Sequence, residues 1–210
     1  SQERSAIFPE YKANRDETPE AIRLAIPYIH QILQAMQIPI IEKEGYEADD
    51  IIGTLAKQAE KQGYQVYMVT PDKDYGQLVS EHIFMYKPAR GGNDTEIWGV
   101  EQVKENFGVD TPEQVIDLFG MMGDAVDNIP GLPGVGEKTA QKLLKEFGSL
   151  ENLLENTHQL KGKLRENIEA NKDKGILSKR LARILLDVPV TFDEKDFELS
   201  MPNFQEVVPI

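Results

Sequence analysis

The feature that most constrains this chain is a change of hydrophobic period between residues 38 and 70. "IPIIEK" (38–43) is a short apolar run, and "ADDIIGTLAKQAEKQG" (48–63) repeats its apolar residues at helical spacing until Gly63 stops it. "YQVYMVT" (64–70) then returns to β-branched and aromatic residues. Strand, helix and strand within about 30 residues predict a βαβ unit, hence a right-handed crossover and a parallel sheet. "HIFMYKP" (82–88) reads as a third strand, and "TEIWG" (95–99) as a fourth beyond a turn at Gly91 and Gly92. Upstream, residues 18–36 place Ile22, Ile26, Ile29, Leu33 and Met36 on one helical face. Thr18 is the expected N-cap, Pro19 the first helical residue and Pro27 a bend. From Val100 onward the pattern is one of short helices until "VPVTF" (188–192). The expected organisation is an α/β core over 1–120, a helical lobe over 121–200 and a linker over 201–210.

Composition closes off several classes. The chain has 210 residues, 40% of them hydrophobic, enough for a sizeable core. It shows neither an apolar leader nor a run of about 20 apolar residues, so the default expectation is a cytoplasmic protein. With no cysteine, disulfides and thiolate metal sites are excluded. His30, His82 and His158 lie far apart without zinc-ligand spacing and read as surface or packing residues. The net charge of −13 argues against a polyanionic partner until it is resolved along the chain. Residues 137–183 hold eleven Lys and Arg against seven Asp and Glu, a balance of +4, which leaves −17 elsewhere. A basic lobe for a phosphate backbone beside an acidic pocket for metal ions has this asymmetry; so does an ordinary lysine-rich helix face.

Three acidic clusters are set to reach the carboxyl edge of the predicted sheet, where ligands gather in open parallel sheets. Glu47, Asp49 and Asp50 follow the strand at 38–43, and Asp72 and Asp74 follow the strand at 64–70. Asp124 and Asp127 lie one helical turn apart in "GDAVDN". Hard divalent cations take oxygen ligands, so an excess of Asp and Glu without His or Cys suits Mg²⁺ or Mn²⁺. Two such ions about 4 Å apart promote phosphodiester hydrolysis. The plainer alternative is that acids in a first helical turn complement the macrodipole and that Asp72 caps the helix beginning near Asp74.

"LPGVGEKTAQKLLKEFGSL" (132–150) sets Gly134 and Gly136 at the start of a helix whose apolar side is Ala140, Leu143, Leu144 and Phe147. Backbone N–H groups at such a turn form an anion site, with Lys138 and Thr139 beside it, and a phosphate held this way is read without regard to bases. A plain αα-hairpin with a glycine-rich turn is the competing reading, and Glu137 brings negative charge to the same place. The spacing is not that of a Walker A loop.

Taken together, "FPEYKANR" (8–15), "EADDIIGTLA", "VTPDKDYGQLV" and "MMGDAVDNIPGLPGVGEKTAQKLL" resemble the 5′ nuclease segment of bacterial DNA polymerase I, a family related to phage and eukaryotic flap endonucleases. The resemblance implies a resolvase-like (PIN-like) α/β fold with a parallel sheet and a helix-three-turn-helix (helix-hairpin-helix) lobe. It also implies two Mg²⁺ or Mn²⁺ ions, and removal of 5′ ends or flaps from branched duplex DNA. On the matching positions, Glu47, Asp49, Asp50, Asp72, Asp74, Asp124 and Asp127 become metal ligands. Gly134, Gly136 and Lys138 become the hairpin that holds the duplex backbone, with K⁺ at the turn. Lys12 and Arg15 would contact or steer the scissile phosphate from the base of a helical arch, and Tyr11 would stack on a base.

Two departures from the family pattern bear on activity. Pro71 stands where relatives usually have a small residue. In the family a longer stretch also precedes "FPEYKANR", with two strands that each end in a metal-binding Asp. The expectation is therefore a fragment of a longer polypeptide that joins this segment to proofreading and polymerase domains; it keeps the DNA-binding lobe but has an incomplete sheet with exposed edges. A non-catalytic DNA-binding module is the runner-up reading. A carboxylate-rich phosphatase of small substrates would leave the hairpin unexplained.

Overall fold

A computed structural model describes residues 1–89, 91 and 94–207. The N-terminal half is organised by helices α1 (Gln2–Ile7), α2 (Glu20–Ala35) and α3 (Ala48–Lys61), with a small sheet beside α3. Strand β1 (Val66–Val69) pairs in parallel with β2 (Ile83–Lys87), in register from Val66↔Ile83 to Val69↔Tyr86, and β3 (Glu96–Trp98) runs antiparallel to β2. The order is β1-β2-β3, with a 3₁₀ turn, Lys73–Leu78, in the connection from β1 to β2. The central strand carries the packing: Ile83 and Met85 point inward and are fully buried. Lys87, at the end of β2 on the same face as Met85, lies over the Trp98 ring at 3.6 Å and ties β2 to β3.

Two predicted strands do not form. Residues 38–43 are irregular, with Ile38 and Ile41 each 40% exposed. An apolar run becomes a strand only where a ladder partner meets it, and among the described residues none does, so the βαβ unit reduces to helix, strand and parallel strand. "VPVTF" is likewise irregular. Its backbone is satisfied by a side chain, since Gln58 of α3 donates to Val190 O at 2.9 Å and accepts from Phe192 N at 2.7 Å. Pro19, not Thr18, takes the N-cap of α2, because its extended backbone (φ −50°, ψ 140°) delays the helix to Glu20. Gly92 of the expected Gly91–Gly92 turn lies outside the described residues.

The C-terminal half is a helical lobe of α4 (Val100–Phe107), α5 (Gln114–Met122), α6 (Glu137–Phe147), α7 (Leu150–Glu155), α8 (Gly162–Ala170) and α9 (Lys172–Ala182). Helix α5 is its axis, flanked by α9 and α6. Ala140, Leu143, Leu144 and Phe147 are buried, as the period of α6 predicts. Leu118, Met121, Leu150, Leu153 and Ile168 complete one apolar core that runs without a break to Met85 and Val103 beneath the sheet. A smaller cluster of Tyr11, Ile129 and Leu181 joins the N-terminal segment to the lobe. No helix among the described residues is long and apolar enough to cross a membrane.

Candidate metal centre and nucleic-acid interface

Three separate segments build one acidic pocket of about 430 Å³. Glu47 is the N-cap of α3 and Asp49 lies in its first turn. Asp72 follows the carboxyl end of β1 and caps the 3₁₀ turn, accepting from Asp74 N at 3.0 Å. The capping role and the pocket position thus coexist in one residue. Asp124 and Asp127 are not on a helix as expected. Gly123 (φ 73°, ψ −178°) ends α5 in a conformation other residues rarely adopt, and the chain then folds back through the Asp124↔Ile129 bridge, leaving both carboxylates on a tight turn.

Six of the seven sequence-assigned carboxylates meet there; Asp50 does not. It is fully buried, forms a paired contact with Arg4 (Nη1–Oδ2 2.9 Å, Nη2–Oδ1 2.8 Å), and accepts from Glu47 N at 3.2 Å and Leu185 N at 2.9 Å. Both its oxygens are saturated, so it fixes the start of α3 rather than facing an ion. Tyr11 is also corrected: its ring is only 7% exposed, and its hydroxyl donates to Glu47 Oε2 at 3.3 Å, which leaves no face for a base. Lys12 and Arg15 do reach the pocket. Their segment is tied to the Asp124–Asp127 turn by Lys12 N to Asp127 O (3.0 Å), Asn14 Nδ2 to Ala125 O (2.8 Å) and Asn128 Nδ2 to Glu10 O (2.7 Å).

Charge divides the pocket in two. Lys12 Nζ stands 2.7 Å from Glu47 and 3.4 Å from Asp127, Arg15 Nη2 2.5 Å from Asp127, and Lys73 Nζ 2.6 Å from Asp124. Burial pushes the Glu47 carboxyl upward, but the hydrogen bond and charge of Lys12 more than offset this and help hold it at about 2. On the other side no Lys or Arg pairs with Asp49, Asp72 or Asp74 among the described residues. Burial, with the charge of Asp72, pushes Asp74 up to about 7, and burial raises Asp49 despite a hydrogen bond from Tyr75. Asp74 Oδ1 is buried without a hydrogen-bond partner.

In the lobe, Gly134 has φ +78°, which only glycine adopts without strain, and Gly136 is the N-cap of α6. Gly136 offers no side-chain cap, so the first amides of α6 stay open to an external acceptor. Lys138 is exposed beside them, as is Glu137, and Thr139 is half-buried. A Cβ added at Gly136 would meet nothing within 4 Å, so nothing inside the chain calls for glycine there.

The family model described as 5′-3′ exonuclease, N-terminal resolvase-like domain, matches residues 1–108, and that described as 5′-3′ exonuclease, C-terminal SAM fold, matches residues 110–205. The chain belongs to the 5′-3′ exonuclease family. DNA polymerase I of Bacillus subtilis (strain 168) is 47% identical over 208 residues, which are 99% of this chain and 24% of that protein. The chain thus spans about a quarter of the length of the curated relatives it matches. The bacteriophage T5 5′-exonuclease solved with bound zinc superposes with a TM-score of 0.72 at 25% identity, covering 87% of this chain and 70% of that one. A T5 flap endonuclease, solved as a pseudo-enzyme–product complex with DNA and metal ions, gives 0.72 at 25% identity, covering 85% and 68%. The resolvase-like α/β architecture with a helical C-terminal domain is that of this family of nucleases.

The residues of this exonuclease-family chain suit a hard divalent cation by chemistry. Every carboxylate in the pocket offers oxygen, and the orphaned, buried Asp74 Oδ1 is a polar atom whose burial is costly without a partner. No three His, Cys, Asp or Glu side chains among the described residues close on one point as a finished cage. Mg²⁺ keeps several waters and needs only one or two carboxylates, so an open half-pocket of Asp49, Asp72 and Asp74 suits it. Sequence reasoning missed Arg4, Lys73, Tyr75, Asn14 and Asn128. Of these only Lys73, set between two assigned aspartates, carried a local signal.

Proposed function

We propose that the chain is a 5′ nuclease module hydrolysing phosphodiesters at 5′ ends or flaps of branched duplex DNA, with Mg²⁺ or Mn²⁺ at the acidic pocket. The observation that carries this reading is the meeting of six carboxylates from three segments around one pocket whose rim also holds Lys12 and Arg15. Glu47, Asp49, Asp72, Asp74, Asp124 and Asp127 hold the ions. When bound, the ions supply Lewis-acid charge that favours attack by water and stabilises the leaving oxygen. Lys12 and Arg15 offer charged donors to the scissile phosphate, and Tyr11 orients Glu47 from beneath. Gly134, Gly136, Lys138 and Thr139 grip the duplex backbone, with K⁺ at the same turn, and select no sequence because phosphates carry none. The phage relative solved with DNA and metal ions supports this reading, as does the polymerase I match for a parent polypeptide with further domains.

The test is release of a 5′ flap from a branched duplex in Mg²⁺ or Mn²⁺. The expected result is release that chelation abolishes and Asp74→Asn removes. No release by the unsubstituted chain at saturating metal overturns the catalytic reading. A non-catalytic DNA-binding module is the second reading, favoured by the absence of a closed carboxylate trio among the described residues. Thermal melting in Mn²⁺ separates the two: a formed ion site adds about 2.7 kcal/mol at a hundredfold excess over Kd, and dispersed surface acids add almost nothing.

A further inference from the structure

Tyr75 belongs to the apolar core, and its hydroxyl reaches Asp49, which lines the acidic pocket. Tyr75 lies on the 3₁₀ turn Lys73–Leu78, which packs against α3, and is only 4% exposed; the next residue, Gly76, lies so close to Phe107 that an added Cβ would stand 2.8 Å from that ring. Burial in the core leaves the Tyr75 ring few orientations, and from this one its hydroxyl donates to Asp49 Oδ1 at 2.9 Å.

This contact stands without the charged partner that accompanies the Tyr11 phenol at Glu47. Glu47, Asp124 and Asp127 are held by Lys or Arg, whereas Asp49 is held by an uncharged donor that leaves its charge uncompensated. One oxygen of Asp49 is turned toward the phenol, and the other remains for a ligand. Cations differ in what they ask of a carboxylate. Mg²⁺ and Mn²⁺ favour a compact octahedron served by single oxygens, while Ca²⁺ has longer bonds and readily takes both oxygens of one carboxylate.

We propose that Tyr75 is a positioning residue that restricts Asp49 to one coordinating oxygen and so biases the pocket toward small octahedral cations over Ca²⁺. The proposal rests on the metal reading given above. Tyr75 touches neither ion nor substrate; it acts through Asp49. Loss of the hydroxyl frees Asp49 to rotate and chelate, which costs the small ion its ordered ligand and gives the large ion a second oxygen. Partners of this kind alter metal affinity by about 10- to 100-fold when removed.

The experiment is calorimetric titration of the unsubstituted chain and of Tyr75→Phe with Mn²⁺ alone and with Ca²⁺ alone, both checked for folding by circular dichroism and melting in chelator. The expected result is Mn²⁺ binding about tenfold weaker in Tyr75→Phe, with Ca²⁺ binding unchanged or tighter, so that the ratio of affinities falls by that factor. A ratio left intact, or equal weakening of both ions, overturns the proposal while leaving the metal reading standing. Failure of the unsubstituted chain to bind either ion removes both together. If Tyr75→Phe does not fold, infrared difference spectra of the Mn²⁺-loaded chain, with those of Asp49→Asn subtracted, decide the matter. A wide splitting between the carboxylate stretches, as for single-oxygen binding, supports it, and a narrow chelate splitting overturns it.

Discussion

Asp49 and Asp50 are neighbours in sequence and opposites in environment. One faces the pocket with a phenol as its side-chain partner; the other is enclosed by a guanidinium and two amides. The Arg4–Asp50 pair also holds Leu181 O and Arg183 O, so it joins α1, α3 and the end of α9. Removing one partner leaves the other charge buried and unpaired, and Arg4→Ala is expected to cost about 3–5 kcal/mol in urea denaturation. Arg4→Lys recovers only part of that loss, because a point charge cannot reproduce the two-pronged contact. None of this was legible in the sequence. A carboxylate at the third position of a helix reads the same whether it turns in or out, and a partner 46 residues away leaves no local trace. Of the six pocket carboxylates, Asp72 and Asp74 stand at a strand end as their local pattern predicts, whereas Glu47 and Asp49 reach the pocket from the start of α3 without the strand expected before it, and Asp124 and Asp127 from a turn rather than a helix.

At the scale of elements, α3, the three strands and α6 followed from period and punctuation, which are local properties. The expected strands at 38–43 and 188–192 failed because pairing is not local: a side chain, Gln58, took the place of a ladder for the second. The crossing of α5 and α9 is another non-local demand. A Cβ at Gly120 would stand 2.7 Å from Lys179 Cβ and 2.9 Å from Lys179 Cα, and a backbone atom cannot swing aside. Gly120→Ala is therefore expected to lose about 1–3 kcal/mol, read as a lowered melting temperature. Gly136 makes the contrasting case. With φ −92° and open space around it, Gly136→Ala is expected to change stability by less than about 1 kcal/mol and still to weaken binding of duplex DNA, because the added methyl obstructs only an incoming backbone. Unchanged duplex affinity in gel-shift titration would remove the hairpin from the interface.

For the molecule as a whole, the net charge of −13 conceals a basic stretch, residues 137–183, with a balance of +4. Sequence counting could not show that its cations fall into two groups. Lys179 is spent inside the fold, 2.5 Å from Asp117 and 2.6 Å from Glu151, while Asp117 also accepts from Leu150 N at the start of α7. Lys172 donates to Leu154 O, and Arg180 pairs with Glu3. Lys138, Lys142, Lys145, Lys161 and Lys163 are exposed and take no hydrogen bond or ion pair among the described residues. The two groups should therefore respond oppositely to substitution. Lys138→Ala is expected to leave the melting temperature unchanged and to lower the slope of log affinity against log salt by about 1 for any duplex sequence, since one phosphate contact is lost. Lys179→Ala is expected to cost about 1–3 kcal/mol of stability, because it strips a charge-assisted partner from Asp117, and to leave that slope alone. A salt slope that falls equally in both variants would mean that the lobe attracts DNA as a diffuse positive field rather than through placed contacts. The glycine turn at 134–136 would then be a structural bend between α5 and α6, and the interface would have to be sought along the exposed lysines of α6 and α8.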